Sequence, residues 1–262
     1  KEVAAGDDRV AATPETVKKY VGLGHEVTLE AGAGLAAGFT DAAYTEAGAK
    51  LEATADAALK DADVLLCVRT PDAGGLSDGL TVIGLLDPFK FDAAAFNAKK
   101  VTTLAMEFTP RITRAQSMDA LSSQSNLAGY RAVIEGATLY GRAMPMMMTA
   151  AGTVAPAKVF IMGAGVAGLQ AIATARRLGA VVTATDVRPA AKEQVASLGA
   201  KFIAVEDEEL KAAETAGGYA KQMSEEYQQK QDELVDSHIA KQDIVVTTAL
   251  IPGRPAPVQV SA

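Results

Sequence analysis

Lys158-Val-Phe-Ile-Met-Gly163-Ala-Gly165-Val-Ala-Gly168 is the stretch from which the fold is read. An apolar run ends at Gly163, and a helix-compatible run to Leu178 opens within the glycine pattern. Small residues recur in tight turns, so the G-x-G-x-x-G spacing alone carries little weight. Its setting carries more. The next apolar run, Val181–Asp186, ends in an acid eighteen residues after Gly168, close to the spacing expected of the acid that holds a dinucleotide's adenosine ribose. Each glycine then has its own duty: Gly163 permits the tight turn, Gly165 lets backbone approach a pyrophosphate, and Gly168 lets helix pack on strand. The pyrophosphate lies at the positive end of the helix starting near Val166. The Asp186 carboxylate can accept from both ribose hydroxyls and repels a 2′-phosphate, so the pattern points to NAD rather than NADP. Arg188 either softens that repulsion or is a solvated or partner-facing cation.

Working outward, a helix is expected at Ala190–Leu198 and strands at Lys201–Val205 and Asp243–Thr248. That is one mononucleotide half and one further strand, where a complete dinucleotide fold uses two halves; a C-terminal part is expected beyond Ala262. Between the last two strands runs the charged stretch Glu206–Gln242, broken by Ala216-Gly-Gly-Tyr219. It is longer than an ordinary crossover, and reads either as two solvated helices with a glycine break or as a mobile flap.

In the first half, strand patterns at Glu26–Glu30, Asp63–Arg69, Thr81–Leu86 and Val101–Ala105 alternate with helix patterns at Pro14–Leu23, Asp41–Ala47, Thr54–Lys60 and Asp92–Lys99. Thr13 before Pro14 marks a helix start. This alternation predicts parallel βαβ units. The fold class is therefore α/β, with two doubly wound parallel-sheet (Rossmann-like) domains joined by helices. The boundaries fall at 1–120, a helical linker at 121–145, and 146–262; the first domain lacks an expected opening strand before Lys1.

Composition narrows the function classes. Apolar residues make up 49% of the chain and Trp is absent, so Ala, Val, Leu and Ile must build the core, as in helix-covered parallel sheets. The net charge of −7 argues against a nucleic-acid surface. Cys67 sits in an apolar run and reads as a buried strand thiol. No signal peptide is visible, and the uncharged run Val159–Ala175 falls short of the ~20 residues a membrane span needs. Met146-Met-Met148 has no Cys or His companion, so it reads as packing at the domain junction and not as a metal site; no metal cluster is visible.

Two further segments carry a resemblance. They are the run from Pro110-Arg-Ile-Thr-Arg-Ala-Gln-Ser-Met-Asp119 to Arg131, and Met148-Thr-Ala-Ala-Gly-Thr-Val-Ala-Pro-Ala-Lys158. With Thr185-Asp-Val-Arg188, Lys192-Glu-Gln-Val195 and Thr247-Thr-Ala-Leu-Ile-Pro-Gly253, they resemble the NAD(H)-binding subunit of the proton-translocating transhydrogenases. Lys1-Glu2, Arg9-Val-Ala11 and Pro14-Glu15 resemble the wider family shared with alanine dehydrogenase. The resemblance implies a Si/Re-specific NAD(P)+ transhydrogenase component that binds NADH and passes hydride to NADP+ on a partner domain. It also implies a homodimer, proton translocation coupled through a membrane domain, and a peripheral position at the inner face of the plasma membrane (or in the mitochondrial matrix) through those partners.

By the same resemblance, the nicotinamide end is held by Arg111, Gln116 and Asp119 with help from Ser122. Gly163, Gly165, Val166, Gly168, Asp186, Val187 and Arg188 hold the rest, and Gly218 and Tyr219 belong to a mobile flap. Arg111 can donate to the carboxamide, Gln116 can reach the ribose, and Asp119 can fix Arg111 by a charge-assisted pair.

The nearest rival is an NAD-dependent amino-acid dehydrogenase of the alanine dehydrogenase type. Such an enzyme needs a base poised near neutral pH. In the family pattern the substrate lysine falls at Arg69 and the histidine within Ile83–Pro88, where this chain has none; its two histidines are His25 and His238. A non-catalytic NAD-binding module is the other alternative, and the Arg111-Gln116-Asp119 loop argues against it.

Overall fold

The computed structural model describes residues 1–110, 112–205, 224–250, 255–256 and 258–260. The chain divides into two compact units, Lys1–Leu121 and Ser122–Ala262.

Three threonines start the first three helices of the first unit. The hydroxyls of Thr13, Thr40 and Thr54 accept from the backbone N–H three residues on, supplying the partner that a first helical turn lacks. They open α1 (Pro14–Gly22), α2 (Asp41–Glu46) and α3 (Ala55–Leu59). The strands form two parallel ladders. β1 (Thr28–Glu30) pairs with β2 (Lys50–Glu52), Leu29 opposite Leu51. β3 (Val64–Leu66), β4 (Thr81–Gly84) and β5 (Thr102–Ala105) lie side by side in chain order, with α4 (Ala93–Ala98) between the last two. Lys50-Leu-Glu52 is too short to show periodicity. It becomes a strand because Val17, Tyr44 and Ala49 form a buried cluster with Leu29 and Leu51 packed against it.

In the second unit, the stretch expected to link the domains is one long helix, α5 (Ala120–Tyr140), whose Val133 is buried in the unit's core. An exposed antiparallel hairpin follows, β6 (Met147–Thr149) with β7 (Gly152–Val154). Met146, Met147 and Met148 are exposed; the sequence does not signal the hairpin because three-residue strands leave no pattern.

The main sheet is parallel, in the order β10-β9-β8-β11. Its strands are β8 (Lys158–Met162), β9 (Val181–Thr185), β10 (Lys201–Phe202) and β11 (Ile244–Thr247). Side-chain alternation divides β8 between two cores. Val159 and Ile161 join the large cluster with α6 (Val166–Arg177) and α7 (Ala191–Ser197). Phe160 and Met162 meet Val235 of α8 (Glu225–Ile239) on the other face. Burial on both faces is why the strand reads as an unbroken apolar run. Because β9 lies on one side of β8 and β11 on the other, the strand order reverses between β8 and β11. In open α/β sheets, that switch point is where ligands bind outside the strands' carboxyl ends.

Candidate dinucleotide site

The glycine loop occupies the switch point. Gly163 has φ +102°, a left-handed conformation that glycine adopts without strain. Gly168 is buried in the first turn of α6, and a Cβ there would stand 1.8 Å from the Gly163 carbonyl oxygen. The loop and helix can approach this closely only without that atom. Gly165 is the N-cap of α6, is exposed, and has open space where its Cβ would lie. With no capping side chain, the first-turn amides of α6 are left for an incoming acceptor. Val166 opens the helix and is exposed. These features fit a pyrophosphate.

Asp186 stands at the carboxyl end of β9. Its Oδ2 accepts the Ala164 N–H at 2.7 Å and Arg188 Nη2 at 3.0 Å; its Oδ1 accepts the Arg188 N–H at 2.8 Å and Arg188 Nε at 2.9 Å. Burial opposes ionisation, but the Arg188 guanidinium and the two backbone amides outweigh it and hold the carboxyl below its ordinary value. Arg188, with part of its side chain exposed, forks onto Asp186, and its own ionisation is strengthened by that contact. Val187 between them is exposed.

A threonine outside the glycine pattern completes the loop's surroundings. Thr248 follows β11; its hydroxyl donates toward the carbonyls of Met162 and Gly163, each at 3.1 Å. Only the sheet order brings Thr248 to a loop 85 positions earlier. In the sequence, Thr248 shows only as a threonine after an apolar strand, inside the Thr247–Gly253 run that carries part of the resemblance.

Of the residues expected at the nicotinamide end, Arg111, Gly218 and Tyr219 lie outside the described residues. Gln116 is exposed in a 3-10 turn over Thr113–Met118, and the Asp119 amide donates to the Gln116 carbonyl at 3.4 Å, which sets their spacing. Ser122 is half-buried near the start of α5.

Arg69 and the stretch Ile83–Pro88, where the sequence reading sets a dehydrogenase's lysine and histidine, both lie among the described residues. Asp7, with 7% of its side chain exposed, accepts from Arg9 Nη2 at 2.6 Å and Arg69 Nε at 2.8 Å. The two guanidiniums hold its carboxyl well below the ordinary range. Asp87 takes the left-handed conformation, φ +46°, with its amide donating to Glu107 at 2.8 Å. It lines a cavity of about 380 Å³ with Thr70, Asp72, Lys90, Phe91 and Phe96. His25 is exposed and edge-on to Tyr20. His238 is on α8, hydrogen-bonded to Thr183 at 2.8 Å and edge-on to Phe160, at mid-strand and away from the carboxyl ends.

Comparison with known proteins agrees with this arrangement. Residues 1–128 match the family model of the alanine dehydrogenase/PNT N-terminal domain, and residues 132–262 that of its C-terminal domain. The chain is 57% identical over 271 residues to the first part of the NAD(P) transhydrogenase alpha subunit of Rhodospirillum rubrum, spanning all of this chain and 71% of that protein. It is 31% identical over 268 residues to alanine dehydrogenase of Mycobacterium tuberculosis, covering 99% of this chain and 66% of that one. The crystal structure of transhydrogenase from Sinorhizobium meliloti superposes with a TM-score of 0.86 at 59% identity, covering 98% of this chain and 70% of that one. An L-alanine dehydrogenase structure at 23% identity shares the fold, with a TM-score of 0.78. The chain therefore belongs to the alanine dehydrogenase/PNT family, as a transhydrogenase alpha-subunit component.

Proposed function

We propose that this chain binds NAD(H) and transfers hydride from NADH to NADP+ held on a partner domain, with Si/Re specificity, in an assembly whose membrane domain couples the transfer to proton movement. The observation that carries the reading is the glycine loop at the switch point beside an ionised, buried Asp186. That acid favours a ribose diol over a 2′-phosphate, as hydride exchange between two unlike nicotinamide cofactors requires. NADH supplies the hydride; the chain supplies the hold on it. The first-turn amides of α6 take the pyrophosphate and Asp186 the adenosine ribose. By the family pattern, Arg111, Gln116 and Asp119 with Ser122 fix the carboxamide and nicotinamide ribose at their edges, and Gly218 and Tyr219 cover the cofactor. Edge contacts leave a ring face open, and direct transfer needs the reacting carbons about 3–3.5 Å apart.

A small-substrate dehydrogenase is disfavoured by what fills its positions in the family pattern: the lysine position holds Arg69, which pairs with Asp7, and Ile83–Pro88, where the histidine base would fall, contains no histidine. Among the described residues, no helix is long and apolar enough to cross a membrane, so the reading assigns membrane attachment to partner subunits. A homodimer is part of the same proposal; the apolar hairpin β6–β7 is the surface we assign to it. The test is reduction of a thio-NADP+ analogue by NADH. Transfer that appears only when a purified NADP-binding partner is added is expected; NADH binding without transfer in its presence would leave only a binding module.

A further inference from the structure

We propose that Thr248 is a positioning residue that sets the phosphate-binding amides from the neighbouring strand. The inference rests on the NAD(H)-binding reading above.

The Gly163–Ala164 peptide unit is held at both ends. Its carbonyl accepts the Thr248 hydroxyl from β11's side, and its N–H donates to the Asp186 carboxylate from β9's side. The Gly163 amide, one unit earlier, donates to the Thr185 carbonyl at 2.8 Å. A peptide unit is planar and stiff, so two opposed hydrogen bonds fix its rotation about the chain, and that rotation is the starting orientation from which the amides of Gly165 and Val166 are set through the dihedrals of the buried Ala164. Thr248 is itself fixed. Its backbone N–H donates to the Met162 carbonyl at 2.9 Å, and its hydroxyl also reaches that oxygen.

The fit is close on every side. A Cβ at Gly163 would come within 2.5 Å of Thr248 Oγ1, and one at Gly168 within 3.1 Å of it. Two of the three glycines of the pattern, Gly163 and Gly168, therefore make room for this hydroxyl as well as for each other. Threonine suits the place: its γ-methyl restricts χ1, so setting Oγ1 against the loop costs less rotamer freedom than an unbranched hydroxyl would.

Thr248→Val keeps the shape and removes the donor, and Thr248→Ser keeps the donor. Two readouts separate positioning from mere stability. The first is affinity for ADP-ribose, which carries the pyrophosphate, against adenosine, which does not. The second is hydrogen exchange of the Ala164 amide in the ligand-free chain. Thr248→Val is expected to weaken ADP-ribose at least tenfold, leave adenosine within about twofold, and speed Ala164 exchange at least tenfold. Thr248→Ser stays within about threefold of the original chain in all three. Thr248→Ala, which adds no bulk, carries the same expectation as valine should the valine variant fold poorly. Unchanged ADP-ribose affinity and unchanged Ala164 exchange in both donor-free variants would overturn the inference, as would equal losses for adenosine and ADP-ribose. If the unaltered chain bound neither ligand, the NAD(H) reading would fall, while Ala164 exchange would still decide the role of Thr248.

Discussion

Asp186 already accepts four hydrogen bonds, three of them from Arg188. A ribose diol can reach the carboxylate only where the Arg188 side chain gives way, because two oxygens offer about four lone-pair sites. Cofactor choice is therefore a property of the pair. With the carboxylate present, a 2′-phosphate meets its charge; with it removed, the same phosphate meets a guanidinium released from its partner. Asp186→Ala is expected to weaken NADH and strengthen NADPH, each by about tenfold, or roughly 1.4 kcal/mol. Adding Arg188→Ala should abolish the NADPH gain. Fluorescence titration of both cofactors on the two variants checks it; an NADPH gain that survives loss of Arg188 would show that the guanidinium plays no part.

At the scale of elements, the second unit depends on close helix approach. A Cβ at Gly129 of α5 would lie 2.0 Å from the Ala167 carbonyl oxygen of α6, and that backbone atom cannot step aside. Gly129→Ala should cost about 3 kcal/mol or more, above ordinary overpacking of 1–3 kcal/mol because the clash is with backbone. Urea unfolding reads the loss directly.

The packing of α8 carries a pH dependence. Burial and the nearby charges of Lys241 and Lys201 hold the His238 imidazole below its usual value, so the neutral ring is favoured in the fold. A base whose folded value is depressed contributes its stability above its unfolded value of about 6.5, and loses it as pH falls below that. The melting temperature of the second unit should drop from pH 7.5 toward pH 5.5, and His238→Gln should flatten that slope. Identical slopes in both proteins would assign the dependence to other groups. Asp7 acts in the same direction at lower pH: its depressed carboxyl contributes above the ordinary carboxylate range, and the contribution is lost on acidification.

For the whole molecule, the expectation concerns what it will not do. By the family resemblance, the positions that would grip and deprotonate a small substrate are Arg69, which pairs with Asp7, and the stretch Ile83–Pro88, which holds no histidine. The chain with NAD+ and alanine, glutamate or saccharopine should give no steady reduction of NAD+ to NADH, followed by nicotinamide absorbance. Turnover that survives replacement of both His25 and His238 would mean that another group serves as base.

The sequence alone determined what depends on neighbours along the chain. The Thr13 cap, the glycine spacing, the unbroken apolar strand of β8 and the acid ending β9 are local chemistry, and from them the α/β class and the glycine-loop residues could be read. Tertiary structure decided what depends on residues distant in sequence. Lys50–Glu52 is a strand only because β1 offers it a ladder, and α5 belongs to the second unit because Gly129 lets it reach α6. Spacing left the role of Arg188 open, and its pairing with Asp186 comes from side-chain geometry that spacing does not encode. Thr248 met the glycine loop because β11 takes its place beside β8 and not beside β10. Hydrogen bonds and steric exclusion act over a few ångströms, and only folding brings residues 163 and 248 within that range.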